Sequence, residues 1–485
     1  MSIYKRKRAA AMTIDRQRFF INGEWVAPAD PSRSIPIYSS VTEEVLETVP
    51  AGTADDVDRA VRAAHAAFPA WSALPVCERA AYLRKLAAGL RARVDDIAPL
   101  ISLEVGMPIA GARGYQTLRA ADFFEIFADL GESMAFEERL GDSLIIKEPV
   151  GVVAAISPSN FPLLLTLVKL GPALVTGCTV VVKPPETAPG ALFHLAEVAE
   201  EIGMPPGVIN LITGYGPESG EPLATHPLVD MISFTGSTGV GRRLLELGSQ
   251  TIKRAHLELG GKSAAIVLDD ADLSVALQRA TDQAFTNAGQ VCFAWSRLLV
   301  PRSRLAESEE ILREIVGAHR VGDPLDPETT LGPIVTSAAR DRVRSYIDGA
   351  IADGARVVTG GRALPRGIDR GYFVQPTILS GVDNGMRIAQ EEVFGPVVAL
   401  IAHDGDDDAV RIANDSIFGL HGAVFSPDED RSLSVARRMR TGQVDLNGFK
   451  LGGEAPFGGF KQSGLGRELG AHGIQEYLEI KSIQL

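Results

Sequence analysis

The chain has 485 residues, of which 45% are hydrophobic and 22% charged, and its formal net charge is −13. A chain of this length needs more than one hydrophobic core, so we expect two or more domains. The acidic balance argues against general binding to nucleic acid or to an anionic membrane, since both require a positively charged surface.

Cysteine is rare and widely spaced, which excludes a disulfide framework and a zinc pattern, so no metal site is predicted. The three cysteines are Cys77, Cys178 and Cys292. Free thiols are typical of a reducing compartment, which favours a cytoplasmic location. No apolar stretch approaches the length of a membrane span. The basic segment 1–18 lacks the apolar part of a secretory signal and is predicted to be a disordered arm, with a short organellar presequence as the alternative.

The N-terminal region predicts a hairpin followed by helices. Asn-Gly at 22–23, between apolar flanks, is typical of a tight hairpin turn. Thr53, with an acidic residue three positions later, predicts the start of a helix that ends at Pro69. Two more helices are expected, one from about Glu78 and one over 114–130.

From Gly151 onward, short apolar runs alternate with helical patterns. In the first half the predicted strands are 151–157, 179–183, 208–213 and 231–234, and the predicted helices are 163–174, 191–202 and 239–247. In the second half the predicted strands are 263–268, 298–300, 356–359, 373–379 and 397–402, and the predicted helices are 273–287, 307–316, 337–351 and 407–414. This alternation predicts an α/β fold with two doubly wound parallel sheets, each covered on both faces.

Two segments stand apart from this pattern. Residues 131–147 are polar and predict a pair of strands that stands off the body of the protein. Residues 477–483 alternate apolar and polar side chains, which predicts a strand with no obvious partner.

The most informative stretch surrounds Cys292, where the preceding helical pattern ends at Gly289. A thiol is a strong nucleophile only as the thiolate, so its surroundings must lower its pKa or supply a base. Taken alone, a free cysteine is more often a small buried apolar residue. Glu258 is a candidate base, because burial between its apolar neighbours would raise its pKa toward a useful range. The alternative for Glu258 is an exposed carboxylate at a strand edge.

Asn160 lies between Pro158 and Pro162, which stiffen its loop. A rigidly held side-chain N–H can stabilise a developing oxyanion together with the backbone N–H of Cys292. The alternative is an asparagine that closes an ordinary turn between a strand and a helix.

A glycine-containing turn follows the strand predicted at 231–234. It contains Gly236, Ser237, Thr238 and Gly241, and a helix follows it. Unpaired N–H groups at a helix N-terminus suit a pyrophosphate. However, these glycines do not have the G-x-G-x-x-G spacing of the usual dinucleotide fingerprint, so a turn without a ligand is an equal alternative.

Two further pairs have the chemistry to bind a nucleotide. Lys183 and Glu186 follow a predicted parallel strand, where ligands bind, and could bond to ribose hydroxyls. Glu392 and Phe394 stand just before Gly-Pro and could hold a ribose and flank a flat ring. A solvated ion pair and a polar loop are the respective alternatives.

Taken together, these stretches resemble the aldehyde dehydrogenase superfamily, the NAD(P)-dependent enzymes that oxidise aldehydes to acids. The resemblance extends over about residues 19–485 and depends on seven motifs that stand in the family's order. They are Ser-Pro-Ser-Asn160-Phe-Pro, Val-Lys183-Pro-Pro-Glu186, Phe-Thr-Gly236-Ser237-Thr, Leu-Glu258-Leu-Gly-Gly-Lys, Gly-Gln-Val-Cys292, Glu392-Val-Phe394-Gly-Pro and Pro-Phe-Gly-Gly-Phe-Lys-Gln-Ser-Gly.

The resemblance implies a role for each site residue. Cys292 would be the nucleophile, Glu258 the base and Asn160 the oxyanion donor, with a thiohemiacetal and a thioester as intermediates. The implied cofactor residues are Lys183 and Glu186 at the adenosine ribose, Gly236 and Ser237 at the pyrophosphate, Glu392 and Phe394 at the nicotinamide ribose and ring, and Gly216, Thr238, Gly241 and Leu259 nearby. NAD is favoured over NADP, because Glu186 would repel a 2′-phosphate, although Lys183 would tolerate one.

The resemblance also implies the domain organisation. Residues 19–130 and 148–257 would form a Rossmann-like cofactor-binding domain, and residues 258–446 a catalytic domain. Residues 131–147 and 470–485 would form a β segment that packs between subunits of a homodimer or homotetramer.

Two alternative functions remain, and two positions depart from the sequence pattern of the family. A coenzyme A-acylating semialdehyde dehydrogenase is disfavoured by Glu258, since water activation would compete with transfer to coenzyme A. A non-catalytic protein that keeps the fold is disfavoured by the intact catalytic set. Ser159 stands where many members have tryptophan, which is expected to alter the wall of the substrate tunnel, and Trp295 stands where a small residue is common. Together with Val291 and Phe293, which flank the nucleophile, they are expected to set the shape of the pocket.

Overall fold

The computed structural model describes residues 16–450 and 452–485. Residues 1–15 of the predicted arm therefore lie outside the described residues. The arm does not extend to residue 18 as predicted, because Arg16 is buried and forms an ion pair of 2.5 Å with Glu47. No helix in the described part of the chain is both long and apolar enough to cross a membrane.

The strands are numbered here in chain order. They are β1 (Phe19–Ile21), β2 (Glu24–Val26), β3 (Ser34–Tyr38), β4 (Val45–Pro50), β5 (Glu137–Leu140), β6 (Ser143–Pro149), β7 (Val152–Ile156), β8 (Thr179–Lys183), β9 (Ile209–Leu211), β10 (Met231–Thr235), β11 (Arg254–Glu258), β12 (Ala264–Val267), β13 (Arg297–Pro301), β14 (Arg356–Thr359), β15 (Thr377–Ser380), β16 (Val397–His403), β17 (Phe418–Gly419), β18 (His421–Phe425), β19 (Gln443–Leu446), β20 (Phe460–Lys461), β21 (Gly464–Leu465) and β22 (Leu478–Gln484).

The helices lie mainly between these strands. The α-helices are Ala54–Ser72, Val76–Ala92, Val94–Val105, Ile109–Gly111, Ala120–Ser133, Pro162–Thr176, Gly190–Glu201, Glu221–Thr225, Thr238–Gly248, Leu273–Phe285, Leu305–Gly317, Ser337–Ala352, Arg387–Gln390, Asp406–Asn414, Glu429–Arg438 and Gly470–Gln475. Two π-helical segments, Ala112–Arg119 and Gly216–Gly220, and three short 3₁₀ turns, Ser249–Thr251, Thr286–Gly289 and Arg302–Arg304, complete the set among the described residues.

The first sheet has the strand order β2-β1-β9-β8-β7-β10-β11-β21 and is parallel from β9 to β11. Its strands have apolar residues without alternation because both faces are covered. In β8, Val180 and Val182 lie in one hydrophobic core while Val181 lies in another. The chain order reverses between β7 and β10, which is where doubly wound sheets bind ligands at the carboxyl ends of their strands.

The second sheet has the order β14-β15-β16-β13-β12-β18-β19, and only β14 runs antiparallel to its neighbour. It has its own hydrophobic core. The predicted α/β class with two largely parallel sheets is confirmed.

A third, antiparallel sheet has the order β22-β6-β5. The C-terminal strand does have a partner: β22 pairs along its length with β6, from Leu478 opposite Pro149 to Gln484 opposite Ser143. The predicted strand pair in 131–147 is present as β5 and β6, although β6 continues to Pro149.

Several predicted boundaries are wrong. The helix expected to end at Pro69 continues to Ser72, where Trp71 is buried and packs edge-on against Tyr82, so burial stabilises the turn beyond the proline. The helix expected over 114–130 begins as a π-helix at Ala112 and ends at Ser133. The strand expected over 373–379 starts only at Thr377, directly after a proline, which cannot donate to a sheet.

Candidate active site

The loop that carries Cys292 has an unusual backbone. The helix before it ends at Phe285, not at residue 287 as predicted, and a 3₁₀ turn follows. Asn287, Ala288 and Gly289 then adopt left-handed φ values of 50°, 55° and 71°. This region is costly for residues other than glycine, so surrounding contacts must hold the loop in place.

Those contacts come from Asn160 and its neighbours. Asn160 donates from Nδ2 to the Gln290 carbonyl at 2.8 Å, and Asn287 donates from Nδ2 to the Asn160 carbonyl at 3.0 Å. Gln290 accepts at Oε1 from the Val335 N–H at 2.8 Å. Asn160 and the loop that carries Cys292 therefore hold each other in place, because each donates a hydrogen bond to a backbone carbonyl of the other.

Asn160 itself is only 3% exposed and lies between β7 and the helix that starts at Pro162. Its amide carries two hydrogens, and one of them is used by the Gln290 carbonyl. Among the described residues Nδ2 has no second acceptor, and Asn160 lines the cleft.

Glu258 ends β11 and is 2% exposed, which excludes the exposed carboxylate considered as its alternative. Neither carboxyl oxygen has a hydrogen-bond partner among the described residues. Burial raises the pKa of Glu258 well above its usual range, and Glu468 raises it further, whereas Lys169 and Arg467 oppose the shift. The predicted burial of this carboxyl is therefore confirmed.

A buried ion pair accompanies Glu258. Lys169 Nζ lies 2.8 Å from Glu468 Oε1, and the side chains are 0% and 4% exposed. Sequence reasoning missed both residues. A signal was present for Lys169, which is the one charged residue in the otherwise apolar helix Pro162–Thr176. Glu468, in a glycine-rich C-terminal loop, gave none.

Cys292 is half-buried, and its thiol differs from the expectation in one respect. Burial raises the pKa of Cys292 well above its usual value, and the carboxyls of Glu392, Glu258 and Glu468 raise it further. The sequence left two possibilities, namely surroundings that lower the pKa of Cys292 or a base close to it. The structure contradicts the first, and the second remains.

Cys292 lies where two cavities meet. A tunnel of about 70 Å³ and a cleft of about 530 Å³ both include Cys292 in their walls. Glu258 lines the tunnel and Asn160 lines the cleft. Thr235, the last residue of β10, lines both cavities and so lies at their junction.

The cleft opens at the reversal of strand order in the first sheet. Most of the predicted cofactor residues line it, namely Lys183, Glu186, Gly216, Gly236, Ser237, Leu259, Glu392 and Phe394. Its volume lies in the range of about 300–1,000 Å³ that is usual for ligand sites. The sequence therefore identified residues that share one cavity although they lie as far apart in the chain as Lys183 and Phe394.

Two predicted cofactor residues lie outside the cleft wall. Thr238 Oγ1 donates to the Gln462 carbonyl at 3.5 Å. Gly241 faces Leu259, and a Cβ at this glycine would stand 2.6 Å from the Leu259 side chain. Gly241 therefore serves the close packing of the helix Thr238–Gly248, which holds the glycine turn in place.

Charged residues at the two ends of the cleft are fixed by hydrogen bonds within the protein. Lys183 is 3% exposed, and its Nζ donates to the Pro184 carbonyl at 3.0 Å and to Glu186 Oε2 at 3.4 Å. Burial lowers the pKa of Lys183. At the other end, Glu392 Oε1 accepts from the Gly261 N–H at 3.2 Å, and burial raises the pKa of Glu392 to about 7.

The two departures from the family pattern have different effects than expected. Ser159 lines the cleft and not the tunnel. Trp295 is fully buried and donates from Nε1 to His421 Nδ1 at 2.8 Å, so it belongs to the core and lines neither cavity.

Comparison with known proteins decides the family. The model of the aldehyde dehydrogenase family matches residues 25–483. The chain belongs to the aldehyde dehydrogenase family. It is therefore an oxidoreductase that acts on aldehydes, and the predicted family is confirmed.

Several relatives of this aldehyde dehydrogenase match along its full length. Geranial dehydrogenase of Castellaniella defragrans is 44% identical over 481 residues, which cover 98% of this chain and 100% of that protein. The 3-succinoylsemialdehyde-pyridine dehydrogenase of a Pseudomonas species is 42% identical over 470 residues, covering 97% and 98%.

Solved aldehyde dehydrogenase structures share the same fold. A cysteine-to-alanine mutant of aldehyde dehydrogenase C from Pseudomonas syringae, crystallised with NAD⁺ and octanal, superposes with a TM-score of 0.95 at 44% identity and covers 97% of this chain and 96% of its own. Betaine aldehyde dehydrogenase from Staphylococcus aureus, in complex with NAD⁺, has a TM-score of 0.95 at 37% identity, with 99% and 96% covered.

Proposed function

We propose that this enzyme oxidises an aldehyde to a carboxylic acid with NAD⁺, using Cys292 as nucleophile, Glu258 as base and Asn160 as oxyanion donor. One observation carries the proposal: Cys292 lies at the junction of a tunnel and a cleft, with Glu258 in the tunnel wall and Asn160 in the cleft wall. A substrate in the tunnel and a cofactor in the cleft would therefore meet at the sulfur.

The first step is attack of the Cys292 sulfur on the aldehyde carbon. The thiol must lose its proton, and ionised Glu258 is the acceptor that shares its cavity. Because burial raises the pKa of Glu258, its carboxylate is a stronger base than an exposed one. The carbonyl oxygen becomes an oxyanion that accepts hydrogen bonds from Asn160 Nδ2 and the Cys292 backbone N–H.

In the second step the thiohemiacetal loses a hydride and becomes a thioester on Cys292. NAD⁺ bound in the cleft supplies the hydride acceptor. The residues that would hold it are the half-buried Glu186 for the adenosine ribose, the N–H groups after Gly236 for the pyrophosphate, and Glu392 with Phe394 for the nicotinamide end.

These residues fit such a cofactor in two respects. Glu392 Oε1 is occupied by the Gly261 N–H, which fixes the carboxyl and leaves its second oxygen to accept from a ribose hydroxyl. Glu186 is exposed over 43% of its side chain and can accept from both hydroxyls of an unphosphorylated ribose. NAD⁺ is accordingly the cofactor, since a 2′-phosphate would lie against this carboxylate.

In the last step Glu258 removes a proton from water, which hydrolyses the thioester and releases the acid. The neighbouring pair of Lys169 and Glu468 supports this role. Its carboxylate raises the pKa of Glu258, which makes the ionised form a stronger base, and its cation opposes part of that rise. Lys169 and Glu468 are thus positioning residues for the base.

The test is NADH formation from a panel of aldehydes by the wild type, Cys292→Ala, Glu258→Gln and a Cys77→Ala control. We expect Cys292→Ala to lose turnover and Cys77→Ala to keep it, since Cys77 is exposed and lies outside both cavities. Glu258→Gln should also lose turnover, because its amide can neither accept the Cys292 proton nor activate the water that hydrolyses the thioester. Wild-type-like turnover by Cys292→Ala would refute the assignment.

The product separates the remaining alternatives. Free acid is expected in the presence and absence of coenzyme A, since Glu258 shares the tunnel with Cys292. Acyl-coenzyme A in place of free acid would identify an acylating enzyme. No NADH from any aldehyde, with the protein folded, would identify a non-catalytic member.

We also propose the domain division and assembly that the family resemblance implies. Residues 19–130 and 148–257 bind the cofactor, and residues 258–446 carry catalysis, in the reducing cytoplasm. The β22-β6-β5 sheet exposes Leu140 and Ile480 over 67% and 70% of their surface, and Leu485, the residue after β22, is 66% exposed, so this sheet would pack between subunits of a dimer or tetramer. Light scattering of Ile480→Lys, which should yield smaller assemblies than the wild type, tests this.

A further inference from the structure

The wall of the tunnel is almost wholly apolar. Its inner end is formed by an aromatic cluster next to the nucleophile. Phe293 stacks on Phe449 at 5.5 Å with ring planes 8° apart, and it meets Phe457 edge-on at 5.6 Å and 73°. Phe293 directly follows Cys292, so these rings surround the carbon chain of any aldehyde whose carbonyl has reached the sulfur.

The outer part of the tunnel is formed by aliphatic side chains and one tyrosine. Leu164, Leu165 and Val168 contribute one side from the helix Pro162–Thr176. Tyr115, which is 45% exposed, marks the mouth on the π-helix Ala112–Arg119. π-Helical turns are frequent at functional sites, which agrees with this position.

Fixed charge in the tunnel is limited to two carboxyls. Among the described residues no lysine, arginine or histidine lines it. Glu258 is buried without a partner, and Glu468 is paired with Lys169 behind the wall. A carboxylate on the substrate would thus have no counter-ion, and burying an unpaired charge is expensive.

We propose that the substrates of this enzyme are uncharged aldehydes with a slender apolar chain that occupies the tunnel from Tyr115 to Cys292. The proposal rests on the function proposed above and names its substrate class. The tunnel, at about 70 Å³, is much narrower than the cleft, at about 530 Å³, which favours an extended chain over a bulky ring system.

The first experiment compares kcat/KM along a series of unbranched alkanals. Each methylene that enters the tunnel should raise kcat/KM by about fourfold, since burying a CH₂ group is worth ~0.8 kcal/mol. The rise should stop once the chain extends past Tyr115 into water. A flat series from the shortest aldehyde onward would overturn the proposal.

The second experiment uses matched pairs that differ only in charge. Hexanal is compared with its analogue in which a carboxylate replaces the terminal methyl, and a trimethylammonio aldehyde with its uncharged tert-butyl isostere. We expect the carboxylate to lower kcat/KM by at least about 100-fold. Equal or better turnover of either charged aldehyde would contradict the proposal; for the ammonium it would show that the aromatic rings bind cations.

A variant tests whether the tunnel wall determines the selectivity for uncharged aldehydes. Leu165 is half-buried, so Leu165→Arg can place a cation in the wall while its stem covers apolar surface. It should lower kcat/KM for hexanal and raise it for the carboxylated analogue, whereas Leu433→Arg, at an exposed residue that lines neither cavity, should change neither value. Unchanged selectivity in a folded Leu165→Arg would refute the assignment of this tunnel.

Failure of the proposal differs from failure of the proposed function. If charged aldehydes give NADH and alkanals do not, the catalytic assignment stands and the substrate class is wrong. If no aldehyde gives NADH, the proposed function itself fails.

Discussion

Lys262 should destabilise the fold, and replacing it with methionine should stabilise the enzyme. Its side chain is 2% exposed and its Nζ has no hydrogen-bond partner among the described residues. Burial lowers the pKa of Lys262 from 10.5 to about 7, and repulsion from Arg297 contributes, while Glu392 and Glu391 oppose the shift. The ammonium is thus less stable in the folded protein than in the unfolded chain.

The sign and size of the effect follow from these two pKa values. A lysine with a lowered pKa binds its proton more tightly in the unfolded chain, so the penalty is complete below about pH 7 and disappears above about pH 10.5. The penalty is about 5 kcal/mol in full, about 4 kcal/mol at pH 7 and about 2 kcal/mol at pH 9. Lys262→Met keeps an unbranched side chain that is one atom shorter and removes the charge, so it should recover most of this amount.

Urea unfolding at pH 7 and pH 9, at one fixed protein concentration, measures the effect. We expect Lys262→Met to unfold at higher urea than the wild type, with a larger gain at pH 7 than at pH 9. Lys85→Met, at an exposed lysine, is the control and should shift little at either pH. A Lys262→Met variant that is less stable than the wild type at pH 7, or whose gain is the same at both values, would refute the reasoning.

Three further outcomes are expected. Because burial raises the pKa of Glu392 to about 7, and its ionised form is the better acceptor for a ribose hydroxyl, the KM for NAD⁺ should fall from pH 6 to pH 8 in initial-rate assays and become flat in Glu392→Gln. Gly289→Ala should lose far more stability than Gly354→Ala in thermal unfolding, since both glycines have positive φ but only the Cβ at 289 would lie 2.2 Å from a backbone carbonyl oxygen. Lys169→Met should destabilise by about 3–5 kcal/mol by leaving Glu468 buried and unpaired, and adding Glu468→Leu should restore part of the loss.

The two parallel sheets could be predicted because short runs of consecutive apolar residues in the sequence already indicate strands that are buried on both faces. Residues of β8 such as Val180, Val181 and Val182 are all apolar because the sheet has a core on each face. The partner of β22 could not be predicted in this way. Leu478 pairs with Pro149 across most of the chain, and alternation of side chains indicates a strand without indicating what it pairs with.

The same distinction applies to the site. Cys292, Glu258 and Asn160 could be proposed from the sequence because each stands in a short motif whose residue types suit the proposed chemistry. Gln290 and Asn287 were missed because their importance lies in long-range hydrogen bonds to Asn160 and Val335, which only the folded chain brings together. The left-handed turn at 287–289 was missed for the same reason, since asparagine and alanine do not require it and tertiary contacts impose it.

Burial accounts both for the low reactivity of Cys292 and Glu258 at rest and for their proposed reactivity toward a bound aldehyde. The apolar wall that suits an aldehyde chain also withdraws Cys292 and Glu258 from water, which raises the pKa of both groups. A neutral thiol is protected from adventitious chemistry, but it needs a base within the same cavity. Lys169, whose Nζ lies 2.8 Å from Glu468, opposes the rise in the pKa of Glu258 without entering the tunnel wall, whereas Glu468 adds to that rise. An apolar tunnel can therefore contain a strong base, because the cation that limits the rise in its pKa lies behind the wall.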